Sequence, residues 1–454
     1  YTEAFKILRD DAPSLPFADV KQIIENDLEL PLDKVFQFID TKPLGAASIG
    51  QVHAARLVDG TEVVVKVQYP GGERLFNIDI DLSMRLASVL APHYVDILRQ
   101  LQRNFATEFD YRREAALQRE AHTNMRNVPD VVVPEPFDNQ HPRCQALFGR
   151  SLATKSVFVM ERLHGRPVDK WANEQILMMA AREGLSADEL LKRIKKLSTA
   201  EIERLIPGEF AIRAHGIVQG VRDAIRNSAA LAYNWTLGWV GSRIEYTHSP
   251  RLVNVHQIVD KLFKVQAKCI FEHGFFNGDP HAGNVLLLDD GRLGLIDWGQ
   301  VARLSREQRQ VFARAVIACA DRDEQLIAQL AWEMGVQTEK HVDWVAVKLG
   351  LFWVATFSDD VVGELGGATS FEDNLARIDR LVATAEEYFI AVRCLMLTRG
   401  VAALMGFPGA DSSVRMRGDA ERCLRNAGAE KFETVPGRKV PRPDVETILG
   451  FPAQ

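Results

Sequence analysis

With 454 residues, 46% of them hydrophobic and 26% charged, the chain can bury a large core and has the length of two to three domains or lobes. A net charge of -6 carries no overall electrostatic footprint for nucleic acid, which drops out as an expected partner. The five cysteines, Cys144, Cys269, Cys319, Cys394 and Cys423, are scattered and never spaced C-x-x-C, so neither a disulfide framework nor a zinc site is indicated and a reducing compartment fits.

The first 40 residues read as short helices punctuated by Pro13, Pro16 and Pro31. The pattern then switches to strands. Ile49 to Val58 and Thr61 to Tyr69 are joined by Asp59-Gly60, a strong hairpin signal. The loop ahead of them, Pro43-Leu44-Gly45-Ala46-Ala47-Ser48-Ile49-Gly50, stands where a nucleotide-covering glycine-rich loop belongs. Its Ala-Ala-Ser centre restricts how closely backbone amides approach a phosphate, while Ser48 can donate to one. Small residues at a strand start also serve packing.

Lys66, in V-V-V-K, points from an apolar strand and needs an anionic partner if it is buried, because an unpaired buried ammonium is costly. Phosphate is one candidate and a helix carboxylate another; an exposed strand lysine is the plain alternative. Glu73 to Ala91 and Tyr94 to Arg126 carry helical periodicity, the second with Ile97, Leu101, Phe105 and Phe109 on one stripe. Of the acids on that long helix, Glu108, Asp110 and Glu114, the last is the first choice of partner for Lys66.

Ser156 to Met160 reads as a further strand, followed by a connector from Glu161 to Gly165, and almost everything beyond is helical up to residue 277. Ser186 to Glu189 and Ser198 to Glu201 match capping boxes, so a pair of helices is expected there, solvated by default and a partner or membrane contact in the sharper reading. Asn227 to Ser242 is uncharged and rich in Trp and Tyr, but too short and broken for the roughly eighteen apolar residues of a membrane span. It reads as a buried helix, with an interfacial, membrane-contacting segment as the alternative.

Asn277 to Gln300, N-G-D-P-H-A-G-N-V-L-L-L-D-D-G-R-L-G-L-I-D-W-G-Q, carries the most chemistry. Val285 to Leu288 and Leu293 to Ile296 form a hairpin closed by Asp289, Asp290 and Gly291. Pairing Leu288 with Leu293 sets Asn284 opposite Asp297, with Cβ atoms about 4.5 to 5.5 Å apart. An amide and a carboxylate so placed suit Mg2+, which takes few protein ligands because it keeps waters and phosphate oxygens. Asp279, five residues before Asn284, is then a second carboxylate beside the metal. The D-x-x-x-x-N and D-x-G spacings are those of kinase-type phosphoryl transfer. Beyond Val301 lie more helices, including Arg306 to Ala320 and Glu386 to Met405, and a Pro-rich tail over 436–452 that reads as an extended strap or partner contact.

P-L-G-A-A-S-I-G-Q-V-H, V-V-V-K-V-Q, E-F-D-Y-R-R-E-A, V-F-V-M-E, F-F-N-G-D-P-H-A-G-N and L-I-D-W-G stand in the order and rough spacing of the UbiB/ADCK atypical kinase-like proteins, and the chain resembles that family across about residues 1–310. The resemblance implies an α+β, bilobal protein-kinase-like fold: a small β-rich N-lobe over 1–160, a helical C-lobe core over 161–310 with an insert at about 170–256, and a helical extension over 311–454. It implies ATP and Mg2+ as cofactors, with Ala46, Ala47 and Ser48 covering the nucleotide, Met160 as gatekeeper, and Glu161 to Leu163 as the hinge that meets adenine. Lys66 would contact phosphates with Glu114 as its helix partner, Asp279 would be the catalytic-loop acid, and Asn284 and Asp297 the metal ligands. It also implies a role in coenzyme Q or other prenylquinone metabolism, with mitochondrial or plastid members, membrane lipid or prenylquinone-pathway proteins as partners, and an organellar membrane complex as the setting. ATP hydrolysis is better supported in the family than protein phosphorylation.

Departures are also present. The family's K-x-G-Q signature is absent from the sequence, Gly45 replaces an alanine, Asn277-Gly278 stand in place of His-Ala or His-Cys, Trp298 replaces the Phe of D-F-G, and no A-P-E follows. Met160 and Asp279 lie 119 residues apart, far more than a kinase-like fold needs, which is the reason to expect the helical insert. Because the chain opens at Tyr1, any targeting segment is expected outside this sequence. Two alternatives use the same residues: a small-molecule phosphotransferase, and a pseudokinase-like scaffold subunit of an organellar membrane assembly.

Overall fold

The computed structural model describes residues 14–46, 49–90, 99, 102, 108–194, 196–236, 242–247, 253–428 and 432–450. Contacts divide the chain into two compact units, Tyr1–Pro167 with Phe275–Arg303 and Val168–Gly274 with Leu304–Gln454.

The first unit is organised by an antiparallel sheet of β1 (Phe36–Ile39), β2 (Gly45–Ala46), β3 (Gly50–Leu57), β4 (Glu62–Gln68) and β6 (Val157–Glu161), in the order β1-β3-β4-β6 with β2 on β3. Period-2 alternation divides its residues between two apolar clusters. Val63, Val65 and Val67 of β4, with Val157 and Val159 of β6, are buried against α1 (Phe17–Leu28), whose Val20, Ile24 and Leu28 repeat every four residues between Pro16 and Pro31. Val64 belongs to a second cluster with Phe158, Met160 and Tyr111, and Lys66 shares its parity on β4.

The G-Q-V-H stretch of β3 has a structural use. Gln51 and His53 are fully buried; the Gln51 amide donates to His53 Nε2 at 2.8 Å and also accepts from the Leu15 N–H at 2.7 Å. His53 Nδ1, 2.7 Å from the Asp40 carbonyl, then donates to it, so the polar chain is satisfied.

Both Asp-Gly hairpins of this unit close with the same turn. Leu57 N–H donates to the Thr61 carbonyl and Leu288 N–H to the Arg292 carbonyl, leaving three-residue loops that end in left-handed Gly60 (φ 87°) and Gly291 (φ 86°). Asp59 and Asp290 each accept from the backbone N–H two residues on. This turn corrects the expected register. β9 (Val285–Leu288) and β10 (Leu293–Leu295), the central strands of a sheet flanked by β5 (Val131–Val132) and β7 (Gly165–Pro167), pair as Leu287↔Leu293 and Val285↔Leu295, one residue away from the pairing of Leu288 with Leu293. Asn284 therefore meets Ile296, and Asp297 lies one residue past its expected partner, at the strand end with φ 65°.

A second correction concerns the long helix. Glu108 and Phe109 form a turn, Asp110 caps it by accepting from Arg112 N–H at 3.0 Å, and α3 runs only over Tyr111–Met125. Ile97, Leu101 and Phe105 lie outside the described residues. The preceding α2 spans Gly72–Leu90.

The second unit is helical: α4 (Val168–Glu183), α5 (Ala187–Ile194), α6 (Thr199–Leu205), α7 (Glu209–Thr236), α8 (Val255–Ala267), α9 (Arg306–Asp321), α10 (Glu324–Glu333), α11 (Asp343–Gly350), α12 (Glu386–Leu404) and α13 (Ser412–Asn426) are its principal helices. Both capping boxes are present: Ser186 and Glu189, and Ser198 and Glu201, exchange side-chain to backbone hydrogen bonds reciprocally. The expected buried helix within Asn227 to Ser242 is corrected: up to Thr236 it is the end of α7, with Leu231 and Trp235 exposed. The Pro-rich tail is a strap pinned by Arg438 on the buried Asp323 at 2.7 Å, and it is not wholly extended, since Val445–Leu449 is a short helix. Among the described residues no helix is long and apolar enough to cross a membrane.

Candidate functional site

All parts of the site belong to the first unit. Strand β4 carries Lys66, with Val52 of β3 opposite it. The Asp110 cap starts α3 so that Glu114 falls in its first turn, and the Lys66 ammonium reaches its two carboxylate oxygens at 2.6 and 2.9 Å. The same ammonium lies 3.4 Å from Asp297 Oδ2, over the Tyr111 ring at 5.2 Å from its centroid. Gly50 is required here, because a Cβ would meet the Val67 carbonyl and stand 2.8 Å from the Tyr111 hydroxyl.

Asp297 sits in the left-handed region, which Asp tolerates better than most residues, and its Oδ1 accepts from Gly299 N–H at 3.2 Å. Its carbonyl accepts from the Asn277 amide at 2.7 Å, while Asn277 Oδ1 accepts from Asp279 N–H at 2.8 Å. One buried asparagine thus ties the two acidic motifs together. Pairing of β8 (Phe275–Asn277) with β11 (Val301–Arg303) runs alongside, and Trp298 is buried, stacked on Phe275 with its indole N–H donating to the Leu295 carbonyl. His281 Nδ1 accepts from Gly283 N–H, a hydrogen bond inside the loop.

A cavity of about 260 Å³ opens on this set, lined among others by Lys66, Glu108, Glu114, Asp279, His281, Asn284, Asp297 and Gln300. Asp279 and Asn284 therefore share it with Asp297 and Lys66 although the hairpin register differs from the expected one. Met160, Glu161 and Leu163 are not among its lining residues: Met160 pairs with Val64 and its sulfur accepts from Gln118, and Glu161 exchanges hydrogen bonds with Glu135. Ala46 lies on β2 opposite Gln51, and Ala47 and Ser48 lie outside the described residues.

The charges are unbalanced: one ammonium is shared between two carboxylates. Burial works against the charged form of Lys66, but Asp297 and Glu114 together raise it well above the usual lysine range. Although burial raises Asp297, the ammonium and the Gly299 N–H hold it below the usual carboxylate range. Glu114 takes the strain: its burial, with Asp297 and Glu108 nearby, pushes it up to about 7 despite Lys66. Burial likewise raises Glu108, whose carboxylate accepts from the Gln300 amide at 2.8 Å. Such a cavity keeps Asp297 ionised for a cation and holds a fixed ammonium for an anion.

Nothing in the sequence alone places Tyr111, Asn277 or Gln300 in the site. Asn277 stood out only as a departure in a motif, and nothing local shows that its amide spans twenty residues to Asp297.

The family model described as ABC1 atypical kinase-like domain matches residues 7–205 and 221–331. A probable protein kinase UbiB from Marinobacter nauticus is 26% identical over 345 residues, covering 73% of this chain and 47% of its own. The mitochondrial atypical kinase COQ8B of Danio rerio is 33% identical over 171 residues, 37% of this chain and 26% of its own. The chain spans less than half the length of each of these relatives. Among solved structures, the Rv3197-erythromycin complex from Mycobacterium tuberculosis is similar in fold with a TM-score of 0.53 at 20% identity, covering 93% of this chain and 86% of that one.

Proposed function

The chain belongs to the ABC1 atypical kinase-like family, and from that premise we propose that its cavity binds ATP with Mg2+ and turns the nucleotide over. The observation that carries the reading is the Lys66 ammonium held 2.6 Å from Glu114 and 3.4 Å from Asp297 in a cavity that Asp279 and Asn284 also line.

A divalent cation fits the donor set: Asn284 and Asp297 offer the amide and carboxylate oxygens that Mg2+ prefers, and Asp297 is held ionised. When bound, the ion would supply neutralisation of phosphate charge. Lys66 would donate to phosphate oxygens, and Glu114 with the Tyr111 ring would keep its ammonium aimed at them. Asp279 would orient the attacking water or a substrate hydroxyl. Trp298 would anchor the Asp297 loop in the core.

The wider role in the same proposal is support of coenzyme Q or other prenylquinone metabolism, with an organellar and membrane-associated setting; it rests on the family and on a relative named as mitochondrial. The test is Mg-dependent nucleotide binding and hydrolysis by the wild type and Asp297→Asn, with and without vesicles containing a quinone-like lipid. We expect binding by the wild type and at least about a hundredfold loss of turnover in Asp297→Asn. A wild type that neither binds nor hydrolyses ATP rejects the proposal in favour of a scaffold.

A further inference from the structure

His281 stands two residues past Asp279, on the loop that leads to Asn284, and it lines the same cavity as both. Backbone hydrogen bonds fix that loop: His281 N–H donates to the Asp279 carbonyl and Asn284 N–H to the His281 carbonyl, each at 2.9 Å, and Ile296 N–H to the Asn284 carbonyl at 3.0 Å. The ring is fixed as well, because its Nδ1 accepts from Gly283 N–H at 3.2 Å.

That last hydrogen bond decides the chemistry of the other ring nitrogen. A backbone N–H can only donate, so Nδ1 has no proton and the imidazole proton is on Nε2. A protonated Nε2 has no lone pair for a metal ion and cannot take a proton from a nucleophile. His281 is therefore neither a third ligand beside Asn284 and Asp297 nor a rival to Asp279 in orienting the nucleophile. What it offers the cavity is an N–H donor, and among the described residues no side chain accepts from it.

Lys66 is differently placed. An ammonium has three N–H donors, and those of Lys66 face Glu114 at 2.6 and 2.9 Å and Asp297 at 3.4 Å. An entering phosphate must displace one of these contacts, whereas the His281 donor is uncommitted and its position is set by the loop. The two donors also belong to different elements, Lys66 to β4 and His281 to the loop of the acid that aims the nucleophile. The phosphorus under attack lies beside that nucleophile, so the phosphoryl group within reach of this loop is the terminal one.

We propose that His281 is a further catalytic residue of this site, its Nε2–H donating to an oxygen of the terminal phosphoryl group of ATP. The assignment rests on the nucleotide reading of the cavity. The proton stays on Nε2 throughout, and the residue stabilises charge on the phosphoryl oxygens during transfer.

Asparagine and glutamine separate the two ring nitrogens, since the Asn side-chain oxygen reaches the place of Nδ1 and the Gln amide nitrogen that of Nε2. His281→Asn keeps the acceptor for Gly283 N–H and removes the donor; His281→Gln does the reverse. Equilibrium binding of Mg·ATP and Mg·ADP is measured for the full chain and both variants, with phosphate release from ATP as the rate. His281→Asn is expected to bind ATP about tenfold more weakly, to bind ADP unchanged, and to lose about a hundredfold in kcat. His281→Gln is expected to recover most of the preference for ATP. Equal losses for both nucleotides in His281→Asn, or no loss, would assign the ring to the loop alone, as would a near-normal Asn variant beside an impaired Gln one. Nitrogen-15 NMR of the nucleotide-free chain, with the His281 signals identified by their absence in His281→Asn, reads the tautomer directly. A proton on Nε2 is expected there, and one on Nδ1 overturns the assignment whatever the cavity binds. A wild type that binds neither nucleotide rejects the nucleotide reading and this role of His281 with it.

Discussion

In the cavity of the first unit, charged groups stand largely out of water; on helix α7 of the second, apolar side chains stand in it. Each inverts the ordinary partition of polar and apolar groups. The difference lies in how each is compensated. Lys66, Glu114 and Asp297 compensate one another within the chain, so the cost of burial is met by ion pairs. The apolar face of α7 is met by water. A buried charge set therefore records its partner in the fold, whereas an exposed apolar face records none. Substitutions at the two places should differ accordingly: large effects on stability in the cavity, almost none on the helix.

The largest effect is expected from Lys66→Ala. It removes the shared ammonium and leaves Glu114 buried against Asp297, which should cost about 3 kcal/mol at pH 8 in chemical denaturation and abolish nucleotide binding. Lys66→Met/Glu114→Gln, which removes both charges, should recover most of the stability and none of the binding. Stability as low in the double variant as in Lys66→Ala would show that the pair is not the source of the cost.

The next effect is a pH dependence. Glu114 is raised to about 7 in the folded chain from an ordinary 4.5, so the folded state binds its proton more tightly. Its contribution to stability is then fully present below about pH 4.5 and is lost as pH rises through about 7, a difference of up to about 3 kcal/mol. Subtracting the stability of Glu114→Gln from that of the wild type at each pH between 4.5 and 8 isolates it. The difference should fall with rising pH, and a flat or rising difference would mean that Lys66 outweighs burial at Glu114.

Much of the cavity was legible in the sequence because its residues sit on short, strongly signalled elements. An apolar run around Lys66, an Asp-Gly turn and an acid-to-asparagine spacing are local patterns that single out Lys66, Asp279, Asn284 and Asp297, with Glu114 the first choice among the helix acids, and the family resemblance joins them into one set. The one-residue error in the hairpin arose because Asp-Gly allows several loop lengths, and only the left-handed Gly291 with the Leu288–Arg292 pairing selects among them. Asn277 and Gln300 were missed because their contacts, to Asp297 and to Glu108, join residues twenty and 192 apart. On α7 the failure was of another kind. Periodicity identifies a helix with an apolar face, but it does not say whether that face is covered, and the default of burial was the wrong choice.

The smallest expected effect therefore sharpens the comparison most. Ile217→Ser, on the exposed stripe of α7, should change stability by less than about 0.5 kcal/mol, since the side chain is already in water and loses little on truncation. Val65→Ala, in a fully buried strand position of the first unit, should cost about 2 kcal/mol by the same denaturation measurement, because it leaves a cavity. An Ile217→Ser cost approaching that of Val65→Ala would mean that the stripe is covered within the chain itself, and α7 would then be a core helix rather than a solvated one. Near-neutral stability is the outcome that a core helix cannot produce, since truncating a covered side chain would leave a cavity.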